Sequence, residues 1–231
     1  TENVAAIETA DIAALTTRHV NQGLRTDQVA ALTTDQIQAL TTAAVASLTT
    51  TQVAQGLTSD QVIALTSGQV QALTTAQLAK LTTENVAAIE TVDIAVLRTN
   101  QIAALTTTQV AQGLTSDQVV ALTTQQVQFG LTTAQIAALT TEQIFAIETQ
   151  DIAALKTAQI AALTTQQIRE GLTTEQISAM STLQVEAFTS TQVSAFTTEQ
   201  FQLLQMGTPL VVDLNGNGIN TQSIRAGVEF D

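Results

Sequence analysis

Few side chains in this chain could carry chemistry. Three pairs of carboxylates stand three residues apart: Glu8/Asp11, Glu90/Asp93 and Glu148/Asp151. That spacing could share a cation, but a solvated polar face complementing a helix start is the expectation. His19 is the only histidine, and it stands where most repeats carry Gln. It reads as a polar helix-start residue rather than a base. Near the C-terminus Asp213, Asn215, Asn217 and Gly218 spell D-x-N-x-N-G. This is the opening of a calcium loop, in which alternate oxygens ligate and Gly permits the bend. The twelfth position, where an EF-hand needs Glu, is Ile224. Calcium at Asp213, Asn215 and Asn217 is one reading of this run and a plain hairpin turn the other. No Ser–His–Asp set, His cluster or phosphate-cradling glycine loop is present, and the chain is expected not to be an enzyme.

The elements that would position these residues are copies of one short unit. From Thr1 to Leu204 the chain reads as 25 consecutive units of the form T-T-x-Q-V-x-A-L, the first truncated. A clean copy is TTAQIAAL, Thr132 to Leu139. A period this short forces an architecture in which each unit packs mainly on neighbouring units. An isolated octad buries too little apolar surface to offset the entropy of ordering it.

Comparing copies slot by slot shows what each position needs. Slot five is apolar in every unit (Val4, Ile12, Val20 and on to Phe201), and slot eight is large and apolar. Slot four is Gln in 18 units, with Asp11, Asp93, Asp151, Asn3, Asn85, His19 and Ala44 as exceptions. Slot one accepts Glu8, Arg25, Glu90, Arg98, Glu148 and Lys156, so it faces solvent, whereas slot two is always Thr or Ser. A slot that keeps its hydroxyl suggests an N-cap, placing the cap at Thr34, Thr133, Thr141 and their equivalents. A rival frame caps at slot one, making T-x-x-Q a capping box with a Leu-to-Val staple.

Slots three to eight then form a helix of one to two turns, with slots five and eight on one face. A continuous helix fails, because eight residues advance about 800° and would smear the Val stripe around the rod. The expected fold is an all-α solenoid over residues 1–204, with a small β-hairpin-like segment over 205–231. A β-solenoid is the alternative, though most units lack the Gly, Asn or Asp corners it would want. Five units carry a ninth residue, Gly23, Gly56, Gly113, Gly130 or Gly171, always before the Leu. Gly at that place suggests a left-handed C-cap. Thr49 to Leu105 matches Thr106 to Leu163 nearly unit for unit, as if a block of seven units had been duplicated. Phe188, Phe196 and Phe201 thicken the core of the last units as a cap would.

Composition narrows the partners. A formal net charge of −13 with seven Lys and Arg leaves no basic footprint for nucleic acid. No apolar run approaches the length of a membrane span, and no signal peptide is visible. The chain starts within a repeat and without Met, which reads as a fragment or a processed form. The absence of Cys excludes disulfides and thiolate metal sites.

The tail has a different grammar: PLVVDL reads as a strand, NGNG as a turn and AGVEFD as a second strand. Pro209 to Asp231 resembles a segment of very large bacterial RTX-type, type-I-secreted proteins, of the form P-L-V-L-D-L-[DN]-G-[DN]-G-I…A-G-V-x-F-D. The resemblance covers about a tenth of the chain, and Asn215 and Asn217 replace the Asp of many relatives. It implies export, a calcium-rich exterior and a long surface or matrix protein. The expected function is a non-enzymatic spacer, display or self-association scaffold. An adhesin-type module for protein or glycan, and a filament built through the solenoid ends, are the alternatives. Slot one offers regularly spaced Thr, but its Glu, Arg and Lys argue against a flat ice-binding plane.

Overall fold

The structure is a computed structural model that describes residues 2–207. Those residues form 22 short α-helices and three π-helical segments, one per repeat, and no strand occurs among them. The all-α solenoid is the architecture, and the β-solenoid alternative is excluded over this range. The tail hairpin and its calcium residues Asp213, Asn215 and Asn217 lie outside the described residues.

One octad makes little more than a turn of helix. In the unit from Thr33 to Leu40 the backbone N–H of Ile37 donates to Thr33 O (2.9 Å) and that of Leu40 to Ile37 O (3.2 Å). Leu40 then turns extended (φ −61°, ψ 135°), as does Thr41 after it (φ −67°, ψ 154°), and the next helix begins. A β-branched residue is at ease in that extended conformation.

The cap belongs to slot one. Thr33, Thr132 and Thr140 accept from the slot-four backbone N–H at 3.2 Å. The expectation that Thr34, Thr133 and Thr141 are the caps is therefore wrong: they occupy the first helical position. Charged residues misled the reading because slot one survives without its hydroxyl. At Arg25, Arg98 and Lys156 the backbone N–H still donates to the slot-four Gln Oε1, at 2.9, 2.8 and 2.8 Å. Half of the capping box persists there. Thr132→Ala should cost about 1 kcal/mol of stability, and Thr133→Ala a few tenths, in paired chemical denaturation. Equal effects at the two positions would contradict the slot-one cap.

Helices pack on those three units away. Thr26–Ala30 packs on Thr50–Gly56, Thr42–Ser47 on Ser67–Ala72, Thr99–Ala104 on Gln126–Gly130, and Thr174–Ser178 on Thr198–Gly207. The slot-four side chains reach carbonyls four units back, 28 to 33 residues earlier, so one superhelical turn holds about three and a half units. Slots five and eight fill the interior: Val53, Val70, Ile102, Ile136 and Ile160 are wholly buried, with Leu40, Leu73 and Leu139 nearly so. Phe188 and Phe196 meet edge to face, with ring centroids 4.9 Å apart at 87°, the favoured aromatic arrangement.

The ninth residue is absorbed as a wide turn. In each of the five longer units the slot-eight N–H reaches back five residues, as from Leu57 to Gln52 O (3.2 Å) and from Leu131 to Gln126 O (2.9 Å). None of the five glycines adopts the left-handed conformation, and Gly113 lies at φ −103°, ψ −45°. The expected left-handed C-cap is corrected accordingly. Four of them are small because the turn beneath is close. A Cβ on Gly56 would meet Thr26 O at 3.0 Å and Val29 Cβ at 3.1 Å, and one on Gly113 would meet Val86 Cβ at 3.1 Å. Gly23, in the first described turn, has nothing within 4 Å.

Candidate functional site

The residues that tie successive turns together are the slot-four glutamines, and they are the main structural feature that slot analysis missed. Seventeen of them, from Gln36 to Gln200, are buried. Each side chain bonds at both ends. In Gln61 the Oε1 accepts from Thr58 N (3.0 Å), while Nε2 donates to Val29 O (2.8 Å) and Leu32 O (2.7 Å). Gln69 repeats this with Thr66 N (2.8 Å), Ile37 O and Leu40 O (2.7 Å each). Gln118 does so with Thr115 N (2.9 Å), Val86 O (2.8 Å) and Ile89 O (2.6 Å).

The physics is the termination problem of short helices. A one-turn helix leaves nearly all its first N–H and last C=O groups without an internal partner. The glutamine amide answers both needs, accepting from the start of its own helix and donating to carbonyls at the end of a helix in the turn below. Only an uncharged group that both donates and accepts can do this. The signal was in the sequence: a polar slot almost as constant as the apolar ones is more naturally buried than exposed.

The exceptions fall into order. Asp11 and His19 belong to the first described turn and are exposed. His19 Nδ1 accepts from Thr16 N at 3.3 Å, a polar helix-start role as expected. Ala44 is buried and makes no bracket. Asn85 is shorter and reaches Leu57 O alone, at 2.9 Å, while Ser59 donates to its Oδ1 at 3.3 Å. Asp93 and Asp151 are 2% and 1% exposed, and the Oδ1 atom of each has no partner. The solvated polar face expected for the carboxylate pairs does not hold for these two. Burial pushes the Asp151 carboxyl up from its ordinary range, opposed by the Thr124 hydroxyl and assisted by the nearby Glu148 charge.

The exterior carries slots one to three. Glu142 accepts from its own backbone N–H and from the Thr140 and Thr141 hydroxyls, which hold its carboxyl below the usual range. At Thr174 the slot-two hydroxyl donates to Glu175 Oε2 at 3.1 Å. Arg25 and Asp27 form an ion pair at 3.0 Å, both side chains largely exposed, so it adds little stability. Large apolar side chains also face water: Phe145 is 65% and Phe129 57% exposed, and Lys156 Nζ lies 4.3 Å from the Phe129 ring centroid. Phe145 borders an open recess of about 430 Å³ with Ser116, Thr141, Glu142, Ala146 and Glu170. Among the described residues no group of three His, Cys, Asp or Glu could hold a metal, and no helix is long and apolar enough to cross a membrane.

A tandem-repeat all-α solenoid built on a buried glutamine bracket is the class that this geometry defines. The sequence profile of the ALTTAQ repeat matches residues 4–42, 86–124 and 144–182, about half of the chain. The chain belongs to that repeat family. The second and third matches are offset by the length of the seven-unit block. No curated protein matches the chain significantly.

Proposed function

We propose that the chain is a non-enzymatic structural segment of a secreted bacterial surface or matrix protein, in which the solenoid spaces, displays or self-associates. The observation that carries this reading is the uniformity of the scaffold. The same bracket and the same two apolar slots recur from Gln36 to Gln200, so length is the property that repetition tunes. The resemblance of Pro209 to Asp231 to RTX-type segments supports export, and a calcium-rich exterior suits the Asp213, Asn215 and Asn217 run. Strong acidity accords with an exterior free of nucleic acid.

Deletion of Thr106 to Leu163 tests the spacer reading. It joins Leu105 to a unit of the same nine-residue type, so the stacking re-forms. Small-angle scattering should show a rod shorter in proportion, with unchanged helix content and a cooperative melt. In the full-length parent, the same deletion should leave export intact and reduce only the distance it bridges. Loss of a specific chemical turnover on deletion would overturn the reading.

A second reading, an adhesin-type module for protein or glycan, is favoured by the exposed Phe145 and the recess beside it. Under that reading Phe145→Ser abolishes adhesion without changing the melt; under the spacer reading it changes neither.

A further inference from the structure

The three Asp at the bracket slot are found in the same three units that have Glu at slot one: Glu8/Asp11, Glu90/Asp93 and Glu148/Asp151. In the two pairs with a turn beneath them, the Asp is sealed from solvent and its Oδ1 is without a partner. Elsewhere the same slot holds a glutamine, one methylene longer, whose Nε2 donates to a Leu or Ile carbonyl in the turn below, as at Gln126 to Leu97 O and Gln159 to Leu131 O (2.7 Å each). By the same register the carbonyls under Asp93 and Asp151 are those of Leu65 and Leu122. Neither accepts a hydrogen bond among the described residues.

A carboxylate facing carbonyl oxygens is a concentration of negative charge with its natural donor removed. The basic residues that open the next units do not neutralise it. Arg98 Nη1 donates to Gln71 O at 3.2 Å, and Lys156 lies over Phe129. The Thr124 hydroxyl serves the Asp151 carboxylate, yet Oδ1 still lacks a partner. Burial of an uncompensated carboxylate is strongly unfavourable. An all-oxygen set of carboxylates and backbone carbonyls, with an exposed Glu at its mouth, suits a hard divalent cation.

We propose that Glu90/Asp93 with the Leu65 carbonyl, and Glu148/Asp151 with the Leu122 carbonyl, are two calcium sites that clip successive turns of the solenoid, the ion standing where the glutamine amide stands elsewhere. Asp11 makes no such site here, since it is exposed with no described turn beneath it. These sites are independent of the tail loop.

The test uses the whole chain, stripped with chelator and titrated with calcium at pH 7 by calorimetry and by thermal melting. The parent chain should bind two more calcium ions than Asp93→Gln/Asp151→Gln, and calcium in excess of Kd should raise its Tm by at least about 5 °C. The double variant, with the standard bracket restored, should be folded and as stable without calcium as the parent is with it. Asp213→Ala, which strikes only the tail loop, should keep both ions. Equal stoichiometry in the parent and the double variant would overturn the proposal. So would a parent chain that gains stability only on acidification and not with calcium, since a proton would then be the sole occupant.

Discussion

Gln143→Glu should destabilise the chain by about 3 kcal/mol at pH 7 in chelator and by much less at pH 4. Gln143 Oε1 accepts from Thr140 N (2.8 Å), and its Nε2 donates to Val110 O and Leu114 O at 2.8 and 2.5 Å. The substitution keeps the length and the acceptor but turns the donor into an anionic oxygen against two carbonyls. The folded-state pKa of the new Glu is therefore raised above its unfolded value near 4.3. Its penalty is absent below that unfolded value and grows as pH rises towards the folded one. Gln143→Ala removes both ends of the bracket and should cost about 2–4 kcal/mol with no such pH dependence. Urea titrations of the three chains at the two pH values would decide. A Glu variant as stable as the parent at pH 7 would mean that the bracket does not hold the turns together.

The second large effect is expected in the core. Ile102 is wholly buried, and Ile102→Ala should cost about 3 kcal/mol through lost burial and the cavity left behind. Gly130 lies directly above it. A Cβ added at Gly130 would meet Ile102 Cβ at 3.1 Å, its Cγ2 at 3.2 Å and Thr99 O at 3.3 Å. Gly130→Ala alone should cost about 1–2 kcal/mol by overpacking. Combined, the two should cost less than their sum, because removal of Cγ2 opens room for the new methyl while Thr99 O still crowds it. Denaturant melts of the four chains form the cycle. Strict additivity would show that the turns do not touch there.

What could be read from the residues alone was whatever depends on one unit. The octad sets the helix length, and its apolar slots set the buried face, so Ile102, Ile136 and Leu139 were legible as core. The hydroxyl frame was misread by one residue because Glu90, Arg98 and Lys156 made slot one look purely external. At Arg98 and Lys156 the backbone N–H, which no side-chain pattern displays, still completes half of the box. The role of Gln61 and Gln118 was hidden for a different reason. Their acceptors lie about thirty residues earlier, and which carbonyl lies beneath a side chain depends on the number of units per turn. The same gap hid the task of Gly56 and Gly113, which is close approach rather than backbone freedom, and the burial of Asp93 and Asp151.

The duplicated block spans seven units, which at about three and a half units per turn is two whole turns. Each further copy of the block therefore comes round to the side it started from. The carboxylate pair at Glu90/Asp93 and its twin at Glu148/Asp151 look out from the same flank. Growth by whole blocks sets any mark carried by the block in file along the axis, as buttons run down a coat, and the lengthening rod acquires a front and a back.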